Sequence, residues 1–70
     1  MVPEEKILMQ GLLDEITRVT SIKAEYDKMS TGRFASAFIE ADLLEAKRVA
    51  AAGDVVGIMR MYEKLKAHKL

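Results

Sequence analysis

Apolar residues recur along the chain in three blocks, each at helical spacing, with a short polar or glycine-bearing interruption after each of the first two. In the first block Leu8, Met9, Leu12, Ile16 and Val19 form one stripe, which Ile22, Tyr26 and Met29 continue at spacings of three and four. Pro3 followed by Glu4 and Glu5 marks the start, because proline suits a first helical turn and carboxylates complement the positive end of the dipole. A long helix over about 3–29 is expected. Later members of the stripe drift backward on an ideal wheel, as a repeat nearer 3.5 than 3.6 produces, which implies gentle left-handed wrapping. Gly11 and the β-branched cluster Ile16, Thr17, Val19, Thr20 and Ile22 weaken the helix, so a bend is expected near Thr20 and Ser21. Asp14 and Arg18 stand four apart in the order that favours an ion pair on the outer face.

Ser30, Thr31 and Gly32 interrupt the pattern: glycine suits a left-handed helix end, and either hydroxyl suits the cap of the next helix. A second helix is expected over about 32–52, folded back antiparallel by the short connection. Its wheel carries two apolar faces. Phe34, Ala37, Phe38, Ala41 and Leu44 share one, and Ala35, Ile39, Leu43, Ala46 and Ala50 share the other, with Ser36, Glu40 and Lys47 in a narrow polar strip. Such a helix belongs at the centre of its assembly. Either helices one and three close both faces, or one face meets another molecule. The alanine-rich face, Ala35, Ile39, Leu43, Ala46 and Ala50, is the candidate for self-association, because small side chains permit close backbone approach. Asp42, Glu45 and Arg48 interrupt the aromatic side, and Glu45 and Arg48 are spaced to pair.

Gly53 and Asp54 make the firmest boundary, a glycine for a left-handed cap and an aspartate to accept from the next helix's free amides. A third helix over about 54–68 carries Val55, Ile58, Met59, Tyr62 and Leu65 on one face and Arg60, Glu63 and Lys64 on the other. Val56, Gly57 and Met61 lie off that stripe, which makes Val56 and Met61 candidate contacts for a partner. The expected fold is all-α: a small three-helix bundle, or a helical hairpin plus a third helix, in one domain over 1–70, completed by dimerisation.

Length sharpens this, since a 70-residue chain buries a modest fraction of its surface and gains from self-association. There is no cysteine, which removes disulfides, thiol catalysis and cysteine-based zinc sites and fits a reducing cytoplasm. Eleven basic and eleven acidic residues cancel, so no global field draws the chain to nucleic acid or an anionic membrane. No apolar run approaches a membrane span, and a soluble, cytoplasmic protein is expected.

The search for chemistry assigns no catalytic, metal-binding or cofactor-binding residue. His68, the only imidazole, sits beside a C-terminal end expected to fray, and no Glu-x-x-His or His-x-x-x-His spacing occurs. Ser30-Thr31-Gly32-Arg33 has the generic makings of an anion site but lacks a lysine-bearing phosphate loop and reads as a capped turn. Residues 54–70 carry four basic and two acidic groups, so Arg60, Lys64, Lys66 and Lys69 are the alternative, a nucleic-acid contact. The second helix has Glu40, Asp42 and Glu45 where a recognition helix needs basic and amide groups.

The run EAKRVAAAGDVVGIMRMYEKL, Glu45 to Leu65, resembles the helix-turn-helix hairpin of tetratricopeptide-type repeats, with alanines before a Gly-Asp turn and a tyrosine one helix later. It covers under a third of the chain and has no repeated copy, so the resemblance implies a helix pair and transfers no binding residues. A compact, charge-balanced helical chain without catalytic groups also resembles small accessory proteins, including those that phages make to bind host machinery. The functional expectation is a non-enzymatic protein-binding or regulatory protein, acting through helical surfaces as a homodimer and using no cofactor.

Overall fold

The local signals become three helices in the computed structural model, which describes residues 3–70: α1 (Pro3–Asp27), α2 (Arg33–Ala52) and α3 (Val55–Lys66). Each helix packs on both others, giving an all-α three-helix bundle of 44 × 15 × 15 Å. The Asp27–Ser36 and Lys23–Glu40 pairs set α2 antiparallel to α1. Tyr62 lies against Gly11 and Arg18 reaches Leu65, so α3 runs parallel to α1.

α1 runs as one helix through Thr20 and Ser21, the site where a bend was expected. The hydroxyls of Thr17, Thr20 and Ser21 donate to the carbonyls of Leu13, Ile16 and Thr17, four residues back, so they find partners along the helix. The helix stops at Asp27 because the amides of Lys28 and Met29 turn to the carbonyls of Glu25 and Tyr26, three residues back. Met29 therefore leaves the stripe and stands exposed.

The first connection corrects the sequence reading. Gly32 is the N-cap of α2, at φ −88°, and no Ser30 or Thr31 hydroxyl caps the helix. Glycine is needed for space and not for a left-handed turn, since a Cβ at this position would run into the Tyr26 carbonyl. The second connection follows the sequence closely. Gly53 takes the left-handed conformation at φ 66°, its amide closes onto Ala50, and the Asp54 carboxylate accepts from the Gly57 amide at 3.1 Å.

The core is one cluster: Leu12, Val19 and Ile22 from α1, Ile39, Leu43, Ala46 and Val49 from α2, and Ile58, Met61 and Leu65 from α3. Leu8, Met9, Ile16, Tyr26, Ala50 and Tyr62 pack around it. Among the described residues Ser36 is the one buried polar side chain, and its hydroxyl donates to the Asp27 carboxylate across the first connection. No buried side-chain nitrogen or oxygen among the described residues lacks a partner.

Two assignments are reversed. The alanine-rich face of α2, the candidate for self-association, is the face that α1 and α3 close: Leu43 is 2% exposed and Ala46 0%, Ile39 is equally buried, and Ala35 and Ala50 are half-buried. Small side chains here bring helices of the same chain together. Met61, expected to lie off the stripe, is in the core, while Met59 is exposed. Ile58, Met61 and Leu65, spaced by three and four, form the buried stripe, and Met59 stands 100° round from Ile58; a Cβ at Gly57 would stand 2.7 Å from Val49 Cγ1, so its bare backbone permits close approach of α3 to α2.

Candidate functional site

With its core face closed, α2 presents the opposite face to solvent. Phe34 is 84% exposed, Phe38 72% and Leu44 58%, with Ala37 and Ala41 exposed between them. At 100° per residue these five, with Glu45 and Arg48, span an arc centred near Ala41, opposite Ile39, Leu43, Ala46 and Ala50. Two phenylalanines one helical turn apart with no intramolecular cover are an uncommon surface, because each ring leaves on the order of 150 Å² of apolar area in water. The aromatic set was on the sequence wheel from the start, and its exposure could be anticipated from Asp42, Glu45 and Arg48, which burial would have stranded.

The charged edges of this face are held locally. Arg48 Nε donates to Glu45 Oε2 at 2.9 Å, the pair the spacing suggested. That bond holds the Glu45 carboxyl below its ordinary pKa and raises Arg48 above its own. Asp42 turns the other way, towards α3: its Oδ2 lies 2.8 Å from His68 Nε2 and its Oδ1 3.9 Å from Lys64 Nζ. Asp42 and Glu45 thus engage separate partners and do not converge on one acid–base site.

The C-terminal tail is tied down more firmly than expected. Arg18 donates from Nη2 to the Leu65 carbonyl at 2.8 Å and from Nη1 to the His68 carbonyl at 2.9 Å, while its Nε bonds Glu15 at 2.8 Å. A guanidinium on carbonyls freed at the end of α3 satisfies them and sits at the negative end of its dipole. The Tyr26 hydroxyl donates to the Lys69 carbonyl at 3.1 Å. Sequence spacing paired Arg18 with Asp14. In the bundle Asp14 accepts from Gln10 at 2.9 Å instead, and Arg18 acts across helices.

Two open depressions flank the bundle. One, of about 680 Å³, lies where α1 meets α2 and is lined by Lys23, Lys28 and Arg33 together with Asp27 and Glu40. Lys23 bonds Asp27 at 3.0 Å; Asp27 is held below its ordinary pKa by the Ser36 hydroxyl first and Lys23 second, and Lys23 is raised by Asp27. The other, of about 300 Å³, lies between α2 and α3 and includes Arg48, Val56, Arg60 and Lys64 beside Glu45 and Asp54. Of the two expected partner contacts, Val56 is exposed at its rim and Met61 lies in the core.

The basic residues weighed for nucleic acid are exposed, but two are partly engaged. Lys64 faces Asp42, and Lys66 lies over the Tyr62 ring at 5.4 Å from its centroid. With Arg60 and Lys69 they form no uninterrupted positive stripe. Among the described residues no cluster of three metal-ligating side chains occurs, and no helix is long and apolar enough to cross a membrane. No family model, curated protein or solved structure matches the chain.

Proposed function

We propose that the protein is a non-enzymatic binding protein whose contact surface is the outer face of α2, built from Phe34, Ala37, Phe38, Ala41 and Leu44. The observation that carries this reading is the exposure of both phenylalanines on a bundle whose core is complete without them. Rings fixed on a regular helix lose little conformational freedom on binding, and phenylalanine is among the residues enriched at the cores of protein contacts. Glu45 and Arg48 provide a polar rim beside the apolar strip. The test is affinity capture from the source lysate with the wild-type protein and with Phe38→Glu. The reading predicts a protein retained by the first and lost by the second while both stay helical; identical captures would refute it.

A further inference from the structure

Resting on that reading, we infer that the outer face of α2 is occupied by α2 of a second copy, antiparallel, about a two-fold axis at Ala41. A two-fold contact requires a surface complementary to itself, so that each pairing occurs twice. Antiparallel helices related at Ala41 set opposite each other residues whose numbers sum to twice 41, and the exposed strip meets that condition along its length. Ala41 meets its own copy, where two methyl groups allow close backbone approach. Phe38 meets the partner's Leu44, ring on branched aliphatic side chain. Ala37 meets the partner's Glu45, leaving room for its carboxylate to keep Arg48. Phe34, the most exposed large hydrophobic side chain among the described residues, meets the partner's Arg48, a planar guanidinium held by Glu45 and suited to an aromatic face. A parallel pair would put phenylalanine on phenylalanine at one end and like charges, Glu45 on Glu45 and Arg48 on Arg48, at the other.

The area fits the same occupant. The phenylalanines of two copies bring on the order of 600 Å² to the contact. Leu44, the alanines and the Arg48 stem carry the total towards the roughly 1,000 Å² that a specific interface needs. The core face of α2 stays inside each monomer, so two folded bundles dock without exchanging helices.

The chain has no cysteine, so a single introduced thiol reports the register directly. Ala41→Cys places the two sulfurs at the axis, within reach of a disulfide. Ala52→Cys, on the same face, separates them by roughly 33 Å, from 22 residues at 1.5 Å each. Sedimentation over a dilution series should show a monomer–dimer equilibrium that Phe38→Glu weakens by roughly thirty-fold or more. Under mild oxidation Ala41→Cys should become a covalent dimer, Ala52→Cys should not, and Phe38→Glu added to Ala41→Cys should suppress the product. Equal crosslinking at both positions would overturn the antiparallel register in favour of a parallel one. A wild-type protein monomeric at every concentration would overturn the second copy as occupant. The binding reading would then stand if the lysate capture depends on Phe38 and fall with it if the capture does not.

Discussion

Truncating Leu43 and truncating Phe38 should have very different costs to the isolated monomer, although the two residues are five apart on one helix and both are large and apolar. Leu43 is 2% exposed and belongs to the core cluster that all three helices share. Leu43→Ala removes a fully buried side chain and leaves a cavity, a change of about 2–5 kcal/mol. Against the roughly 3.5–10 kcal/mol expected of a domain this size, that approaches or exceeds half of the stability. Phe38 is 72% exposed, so its ring removes only about a quarter of some 200 Å² from water, worth about 1.4 kcal/mol. Alanine is the better helix former by about 0.5 kcal/mol, which leaves a net cost near 1 kcal/mol for Phe38→Ala. Urea titration followed by helical circular dichroism, at concentrations where sedimentation finds monomer, measures both. A Phe38→Ala loss as large as that of Leu43→Ala would show that the aromatic face is core and that the orientation of α2 is wrong.

Other expectations follow from single residues. Gly57→Ala should destabilise by about 1–3 kcal/mol despite alanine's better helix propensity, because its Cβ would crowd Asp54 Oδ2 at 2.6 Å and Val49 Cγ1 at 2.7 Å; thermal melts check this. Arg18→Ala should cost about 1–3 kcal/mol and speed amide exchange at Ala67 and His68, whose turn it anchors, while exchange within α2 changes only as much as global stability does. Asp27 has a lowered pKa in the fold, so its contribution is present above the ordinary carboxylate value and is lost as pH falls through the lowered folded value. Melting temperature should therefore drop between about pH 5 and pH 2 more in the wild type than in Ser36→Ala, and equal slopes would refute the assignment.

The helices and the second boundary were legible because they rest on local chemistry. Pro3 with two glutamates, the stripe from Leu8 to Tyr26, and Gly53 with Asp54 each act within a turn or two of chain. The rotation of α2 was only half legible, because its wheel offers two apolar faces: hydrophobicity favours burying the phenylalanines, while Asp42, Glu45 and Arg48 favour leaving that side in water. What decided it is shape. Ile39, Leu43, Ala46 and Val49 interlock with α1 and α3 at close approach, and the charges of Asp42, Glu45 and Arg48 then remain in or near water. The burial of Met61 is legible in the spacing of Ile58, Met61 and Leu65, and the face drawn through Val55 and Met59 was too wide, since both are exposed. Arg18 and Tyr26 reach across more than forty residues to the tail, a distance at which sequence spacing carries no signal. Gly32 stands at the boundary because it makes room for the Tyr26 carbonyl, and its backbone is not left-handed.

The most direct measurement of the central claim is analytical ultracentrifugation of wild type and Phe38→Glu, paired with circular dichroism on the same samples. If the outer face of α2 is the contact surface for a second copy, the wild type associates with rising concentration, and the variant stays monomeric with unchanged helical content. A variant that unfolds, as Leu43→Glu should by burying an unpaired charge, or one that associates as the wild type does, would contradict it.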